Sequence, residues 1–545
     1  MEKIKKKPEK DGPCPKVSAL SRTLCLEKGQ ILSSALAEAG HGVRADCAGT
    51  GTCGQCRVQV PPGASLSLPT DAERVLLTDL EMKTGVRLAC QVRSSRSQTM
   101  AVCLPEEDLG QAGCRVTVSG GRHRRGRVGV AIDLGTTSVD LILCDLDDGT
   151  PLVSASGKNA QTCHGDDVVS RIAAAQNPEI GLAKLQGLAV RTINRLLSAC
   201  LKAGKIKANA VARVALAGNT AMTLILAGID PGSLGRYPYQ PVITDLPVHT
   251  AGTLGLDLDP KVPVYLFPAV SGFIGGDTIS ALMAWNFDRD QTCLLVDIGT
   301  NGELVLCHRN RFFAVSCATG PAFEGARISC GMPAMEGAID RMDMDPESGK
   351  FVWHVIGSQG GIKPAGLCGS GIVDAVAGLR RANLLSPSGL LDPGAFRVTK
   401  TDNTLWVELV APIDTRHGRA LVLSQKDIGE VQLAKAALCA GIELLLLRSG
   451  ADHIDQTLLT GAFGAGFDYT KAVAMGMLPK VVLTGRVRVA PGLVVTGAVM
   501  GLVDPKIADR ALALSRTIAV LELGGDPEFE DRFIAAMAFP EQIET

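Results

Sequence analysis

Two stretches of this 545-residue chain repeat each other. Val130-Ala131-Ile132-Asp133-Leu134-Gly135-Thr136-Thr137-Ser138 matches Leu294-Leu295-Val296-Asp297-Ile298-Gly299-Thr300-Asn301-Gly302. Each is an apolar strand that ends in D-x-G-T and turns at once into a second strand, residues 139–144 in the first copy and 303–307 in the second. The correspondence continues downstream. A long amphipathic helix pattern over residues 181–203 precedes the strand and turn at 214–220, and another over 428–449 precedes 458–464. Each half closes on a glycine-bearing helix start, at 271–277 and at 495–501. A duplication of this extent requires two lobes of one topology, with the two D-x-G-T turns as counterparts.

Such turns have a definite chemistry. A tight hairpin offers backbone N–H groups to phosphate oxygens, and threonine hydroxyls add further donors. Gly135, Thr136 and Thr137 in the first copy, and Gly299, Thr300, Asn301 and Gly302 in the second, are therefore candidate nucleotide-binding residues. Asp133 and Asp297, at strand ends, are the candidate catalytic carboxylates, where a Mg²⁺ that keeps several waters could bridge to phosphates. Gly461-Ala462-Phe463-Gly464 would let backbone lie against an adenosine ring. One D-x-G-T alone could be a hairpin with an exposed Asp; two copies followed by matching elements point to ATP.

The N-terminal part is organised differently. Cys47, Cys53 and Cys56 form a C-x5-C-x2-C loop, and a fourth thiol, Cys90, lies well downstream. Gly49, Gly51 and Gly54 let the loop curl, since glycine takes positive φ without strain. Three thiolates on a loop plus one distant thiolate suit a [2Fe–2S] cluster, with inward amides bonding to its sulfurs. The rival is tetrahedral zinc, which usually pairs C-x2-C with C-x2-C; Cys90 has no such neighbour. Around the loop, residues 16–40 read as strand, turn, strand and helix, 57–60 as a strand, 71–82 as one helix, and 86–92 as a strand bearing Cys90. Cys25, Cys103 and Cys114 read as ordinary thiols.

Composition narrows the setting. A net charge of −1 gives no sign of nucleic-acid binding, and 46% hydrophobic residues with 61 glycines read as a globular α/β protein rich in tight turns. Seventeen cysteines, an odd number in a long chain, argue for a reducing compartment. The first 18 residues lack an apolar signal core, and no stretch approaches the roughly 18 apolar residues of a membrane span, so a cytoplasmic protein with no membrane partner is expected.

Several features stay open. Residues 319–325 and 363–371 are glycine-rich turns that would line the nucleotide cleft, form a partner face or serve only as turns. Cys317, Cys330 and Cys368 lack ligand spacing and read as buried thiols. Residues 120–127, rich in Gly and Arg, read as a solvated linker rather than a patch for an anionic partner. His123, His164 and His249 form no metal-type pair, and Trp285, Trp353 and Trp406 read as packing residues.

The cysteine loop is similar to the adrenodoxin-like branch of ferredoxins, within a β-grasp domain, and the duplicated lobes resemble the actin, Hsp70 and sugar-kinase superfamily. Together they resemble the reductive activators of corrinoid proteins, whose ending is also similar to residues 529–540 here. The expected fold class is α/β: a tail (1–14), an α+β ferredoxin domain (15–105), a linker (106–127), and actin-like ATPase lobes at 128–288 and 289–545. The resemblance implies ATP-dependent electron transfer to a corrinoid protein, taking cob(II)amide to cob(I)amide. It also implies an upstream low-potential electron donor and suggests a homodimer. The alternatives are an actin-fold small-molecule kinase with a redox-sensing ferredoxin domain, a dehydratase-type ATP-driven electron donor, and a nucleotide-gated binding module without turnover.

Overall fold

A computed structural model describes residues 21–541 of the chain, apart from 40, 42, 44–46, 48, 52, 53, 55, 105–114, 120–125, 166, 179, 243–248, 346–349, 358–360, 402–403, 462 and 464–465. The chain divides into two units, one up to residue 113 and one from 114 onward.

In the first unit, strands β1 (Ser21–Leu26), β2 (Arg57–Gln59), β3 (Val86–Leu88) and β4 (Gln98–Cys103) form a sheet in the order β1-β4-β2-β3. The helix Leu32–Glu38 packs on it through buried Leu32, Ala35 and Leu36. The strand expected before residue 21 lies outside the described residues. Two expectations need correction. The helix expected over 71–82 is two helices, Asp71–Leu76 and Asp79–Lys83, with Leu77 extended between them. The cause is a second capping pair: Glu81 N–H donates to Thr78 Oγ1 at 3.2 Å, and Thr78 N–H donates to Glu81 at 2.8 Å. Cys90 sits in a turn just past β3 rather than on a strand, held by Ala89 N–H on the Cys56 carbonyl (2.9 Å) and Gln91 N–H on the Leu88 carbonyl (2.8 Å).

The second unit repeats one topology. Its first sheet comprises β5 (Arg115–Val118), β6 (Val128–Leu134), β7 (Ser138–Asp145), β8 (Pro151–Lys158), β9 (Val211–Gly218), β10 (His249–Thr250) and β11 (Pro263–Leu266), in the order β10-β11-β9-β6-β7-β8-β5. The next lobe opens with β12 (Cys293–Ile298), β13 (Gly302–His308) and β14 (Arg311–Cys317). Two small sheets follow: β15 (Ala338–Met344), β16 (Phe351–Val355) and β17 (Gly366–Leu367), then β18 (Val398–Thr401), β19 (Thr404–Val410) and β20 (Leu421–Ser424). β21 (Gln456–Gly461), β22 (Arg486–Val489) and β23 (Ile518–Val520) complete the main sheet, ordered β22-β21-β12-β13-β14-β23. Thus β8-β7-β6-β9-β11 and β14-β13-β12-β21-β22 correspond strand for strand. Within the stretch expected to be a linker, β5 pairs antiparallel with β8, because Arg115-Val116-Thr117-Val118 supplies β-branched residues beside an open edge. The basic segment at 120–125 lies outside the described residues.

Central strands buried on both faces read as continuous apolar runs. In β12, Leu294, Val296 and Ile298 join the core beneath the helix Gln425–Ser449, whereas Cys293 and Leu295 join a core shared between the lobes. That shared core holds two helices, Gly276–Ala284 and Leu493–Val503. The second begins before the glycine-bearing stretch expected as its start, so Gly497 and Gly501 are helix-interior residues. A Cβ on Gly497 would stand 1.9 Å from the Ser280 carbonyl oxygen, so the two backbones touch with no side chain between them. Ser280 Oγ also donates to the Val494 carbonyl at 2.7 Å.

One ion pair steadies the first unit. Glu73 is fully buried and accepts from Arg87 Nε (2.7 Å) and Nη2 (2.9 Å), Leu88 N–H (3.0 Å) and Thr70 N–H (2.9 Å). Burial alone would raise its carboxyl, but the Arg87, Thr70 and Leu88 bonds outweigh that and hold it below the usual range. The linked stability is full above the unfolded-state value of about 4.3 and is lost as pH falls through the lower folded value. Glu73→Gln is predicted to cut the hydrogen-exchange protection of residues 86–92 at pH 7 by about tenfold or more. It should also flatten the decline that the parent shows on acidification, once intrinsic exchange rates are corrected. Equal protection and an unchanged acid limb would contradict this.

Candidate functional site

The two D-x-G-T turns face each other across a cleft in the second unit, lined by Asp133, Gly135, Thr136, Thr137, Asp297, Gly299, Thr300, Asn301 and Gly461 among the expected residues. Thr137 Oγ1 and Thr300 Oγ1, one from each copy, stand 3.5 Å apart. The register explains the convergence: Asp133 ends β6 opposite Asp140 of β7, and Asp297 ends β12 opposite Glu303 of β13 and beside Thr460 of β21.

Each turn has its carbonyls tied down by a donor from elsewhere in its own lobe. In the first, Asn159 Nδ2 donates to the Gly135 carbonyl (2.9 Å), and fully buried Arg171 donates to the Thr136 carbonyl (3.0 Å). In the second, Thr319 Oγ1 lies 3.2 Å from the Gly299 carbonyl and 3.1 Å from that of Thr300. Asn219 Nδ2 adds a bond to Thr136 Oγ1 at 2.9 Å. Turns fixed in this way are preorganised donors, which lowers the ordering cost of holding an anion.

Not every expected residue reaches the cleft. Gly302 starts β13 away from it, where a Cβ would strike Leu438 at 2.4 Å. Gly461 is at the cleft with φ +122°, and a Cβ there would meet the Ile298 carbonyl at 2.1 Å, so only glycine fits. Phe463 turns inward and stacks on Phe467, with centroids 4.1 Å apart. Ala462 and Gly464 lie outside the described residues.

The structure adds carboxylates that sequence reasoning did not assign. Asp140, Asp277, Glu303 and Glu324 line the cleft with Asp133 and Asp297, and no Lys, Arg or His is among the lining residues. Burial first, and neighbouring carboxylates second, push Asp297 up to about 7, while burial raises Asp277 to about 6. The same causes drive Asp133 and Glu303 well above the carboxylate range. So concentrated an acidic lining offers several oxygen ligands to a cation. Among the described residues no three His, Cys, Asp or Glu side chains are placed to grip an ion directly. That arrangement suits Mg²⁺, which dehydrates reluctantly and is held through its waters and substrate phosphates. Asp277 stands in the helix start at 271–277, which sequence reasoning does not assign to the site. Glu324 stands in the turn at 319–325, one of two turns open to a cleft-lining reading, of which the other, 363–371, contributes no lining residue among the described residues.

In the first unit, Cys56 and Cys90 are buried with their sulfurs 3.3 Å apart. Hydrogen bonding to Cys47 and Cys56, then burial, hold the Cys90 thiol far above its usual range, which places Cys47 at the same point. Cys53 lies outside the described residues. Gly49, Gly51 and Gly54 have φ of +86°, +81° and +67°, the curl expected of the loop. Gln91 Nε2 donates to the Gly49 carbonyl at 2.8 Å and approaches Cys90 Sγ at 3.5 Å. Arg57 donates to the Gly54 carbonyl and, at 2.8 Å, to that of Leu76. Two thiols this close, unbridged by a disulfide, with a side-chain amide beside one sulfur, fit a pair of ligands to one iron of a binuclear cluster. Cys317 and Cys368 are fully buried and Cys330 is half-buried, each thiol raised chiefly by burial, as inert packing residues are.

Comparison with known proteins matches the chain in three segments. Residues 18–95 match the 2Fe-2S iron-sulfur cluster binding domain, 128–290 the RACo middle region, and 291–545 the C-terminal domain of RACo, the ASKHA domain. The corrinoid activation enzyme RamQ of Eubacterium limosum is 31% identical over 428 residues, covering 76% of this chain and 71% of that protein. The [Co(II) methylated amine-specific corrinoid protein] reductase of Methanosarcina barkeri is 26% identical over 236 residues, 39% of each chain. A solved reductive activator for a corrinoid, iron-sulfur protein superposes with a TM-score of 0.71 at 26% identity, over 95% of this chain and 97% of its own.

The ligand assignment is testable. Cys56→Ala or Cys90→Ala is predicted to abolish the visible absorbance and the reduced-state EPR signal of the cluster. Cys317→Ala, Cys330→Ala and Cys368→Ala should leave both intact; a loss among these three would place the ligands elsewhere.

Proposed function

Because the chain belongs to the family of corrinoid activation enzymes, we propose that it returns an oxidised corrinoid protein to its active state, passing one electron to cob(II)amide to give cob(I)amide at the expense of ATP. The observation that supports this most is the joining, on one polypeptide, of a convergent cysteine set and a cleft walled by two facing phosphate-type hairpins. The kinase, dehydratase-type and non-catalytic readings supply no reason for that pairing together with the family.

Cys47, Cys53, Cys56 and Cys90 hold the [2Fe–2S] cluster, which supplies one electron at a time at roughly −400 mV. Gln91, by donating toward Cys90 Sγ, adjusts the electron density on a ligand sulfur. In the cleft, Gly135, Thr136, Thr137, Gly299, Thr300 and Asn301 bind the ATP phosphates, Asp133 and Asp297 orient a hydrated Mg²⁺, and Gly461 admits the adenosine. Cob(I)amide is a strong reductant, so the transfer runs uphill, and every 59 mV of deficit costs about a factor of ten for one electron. ATP can offset this only by binding unequally to two states of the protein or its complex. The two lobes, joined through the Gly497–Ser280 contact and closing on the cleft, are the element with two states. The partners are a corrinoid protein and a low-potential donor that recharges the cluster. No helix among the described residues is long and apolar enough to cross a membrane. We place the action in the cytoplasm, with the protein working as a homodimer.

The test mixes the full chain anaerobically with a cob(II)amide-loaded corrinoid protein, a low-potential reductant and Mg-ATP. Conversion of the cob(II) spectrum to cob(I) is predicted, absent with Cys53→Ala and strongly slowed with Asp297→Ala or without ATP. Equal reduction without nucleotide would remove ATP from the reaction. ATP turnover with no effect on the corrinoid would reject the substrate.

A further inference from the structure

The carboxylate of Glu324 occupies the donors that the two hairpins hold out to phosphate. Its Oε1 accepts from Thr300 Oγ1 at 2.7 Å, and the nearby Thr137 hydroxyl and Thr300 backbone N–H also favour its ionised form against the burial that raises it. These are a hydroxyl from each lobe and an amide from a D-x-G-T turn. A phosphate oxygen seeks that same donor set, and a carboxylate oxygen satisfies it in the same way. Glu324 is a cleft carboxylate bonded to the Thr300 hydroxyl, which itself stands 3.5 Å from Thr137 Oγ1 of the other copy, and when ionised it bears the same sign of charge as the phosphates that would replace it.

We propose that Glu324 is an internal stand-in for a nucleotide phosphate: it competes with ATP for Thr137 and Thr300, and its displacement reports nucleotide binding to the rest of the second lobe. This rests on the reading of the cleft as an ATP site. Glu324 closes a single turn, Pro321–Glu324, flanked by Gly320 at φ +67° and Gly325 at φ +80°. The turn cannot move alone. The Phe323 carbonyl lies where a Cβ on Gly369 would be 2.0 Å away, and a Cβ on Gly325 would stand 2.5 Å from the Met332 backbone. Gly369 opens the helix Gly369–Arg381, which packs against β15 through the Gly371–Ile339 approach. Withdrawal of Glu324 therefore pushes on that helix and on the β15–β17 sheet, outside the cleft. Glu324 is a positioning residue that acts through the two threonines, not a group assigned to the reacting atoms.

The experiment measures Mg-AMPPNP binding by titration calorimetry on the full chain and its Glu324→Ala and Glu324→Gln variants. Loss of a competing acceptor predicts about tenfold tighter binding by Glu324→Ala, with Glu324→Gln between it and the parent. A merely structural or directly supporting role predicts the opposite sign. A second measurement needs no variant: Mg-AMPPNP should raise amide exchange of the parent at residues 320–327 and alter it at 366–371. If the parent binds Mg-AMPPNP but Glu324→Ala binds it equally or more weakly, or exchange at 320–327 is unmoved, the competition is refuted while the ATP site stands. If the parent binds no nucleotide, the ATP site falls and the competition with it.

Discussion

The contact between Gly497 and the backbone of Ser280 sets the geometry of the second unit. Two helices, one from each half of the duplication, approach so closely that a single methyl group would collide with a carbonyl oxygen. A packed interior does not absorb such a collision cheaply, because side chains interdigitate at near-crystalline density. That contact, with the Ser280 hydroxyl on the Val494 carbonyl, brings together the sheets whose central strands end in Asp133 and Asp297. Thr137 and Thr300 approach to 3.5 Å, and the carboxylates gather, between the same two lobes.

The cleft then shows how a site can be built by accumulating unfavourable charge. Six carboxylates line it without a basic lining residue, and burial keeps several of them reluctant to ionise. In the proposed ATP site a cation with its bound phosphates would reverse that reluctance. In the first unit the buried Glu73–Arg87 pair and the Arg57 bonds hold the turn and the loop on which Cys90 and Cys56 stand, and the side-chain amide of Gln91 lies beside Cys90 Sγ.

How much of this the sequence disclosed depends on how local each feature is. The D-x-G-T turns and the curl of the cysteine loop were legible because their signals lie within about ten neighbouring residues. The split of residues 71–82 into two helices was also written locally, as Thr70-x-x-Glu73 and Thr78-x-x-Glu81, yet the apolar period running through both masked it. Asp277 and Glu324 were different. Each stands in a turn of ordinary glycine-rich appearance, and only the packing of distant elements aims them at the cleft. Gly302 and Phe463 show the converse: both belong to motifs of the site, but strand alternation and a neighbouring ring turn them into the core. The strand Arg115–Val118 was hidden because its value comes from an open edge at β8, which no local pattern announces.

The central claim is that the electron and the nucleotide act in one event on the corrinoid partner. Rapid mixing of the pre-reduced protein with a cob(II)amide-loaded corrinoid protein, without external reductant, follows cluster oxidation and cob(I) formation in one anaerobic trace. With Mg-ATP the account predicts that the two signals rise together, one cluster oxidised for each cob(I) formed, and that both are strongly slowed without nucleotide. Cluster oxidation at the same rate without nucleotide, or cob(I) formed while the cluster stays reduced, would contradict it.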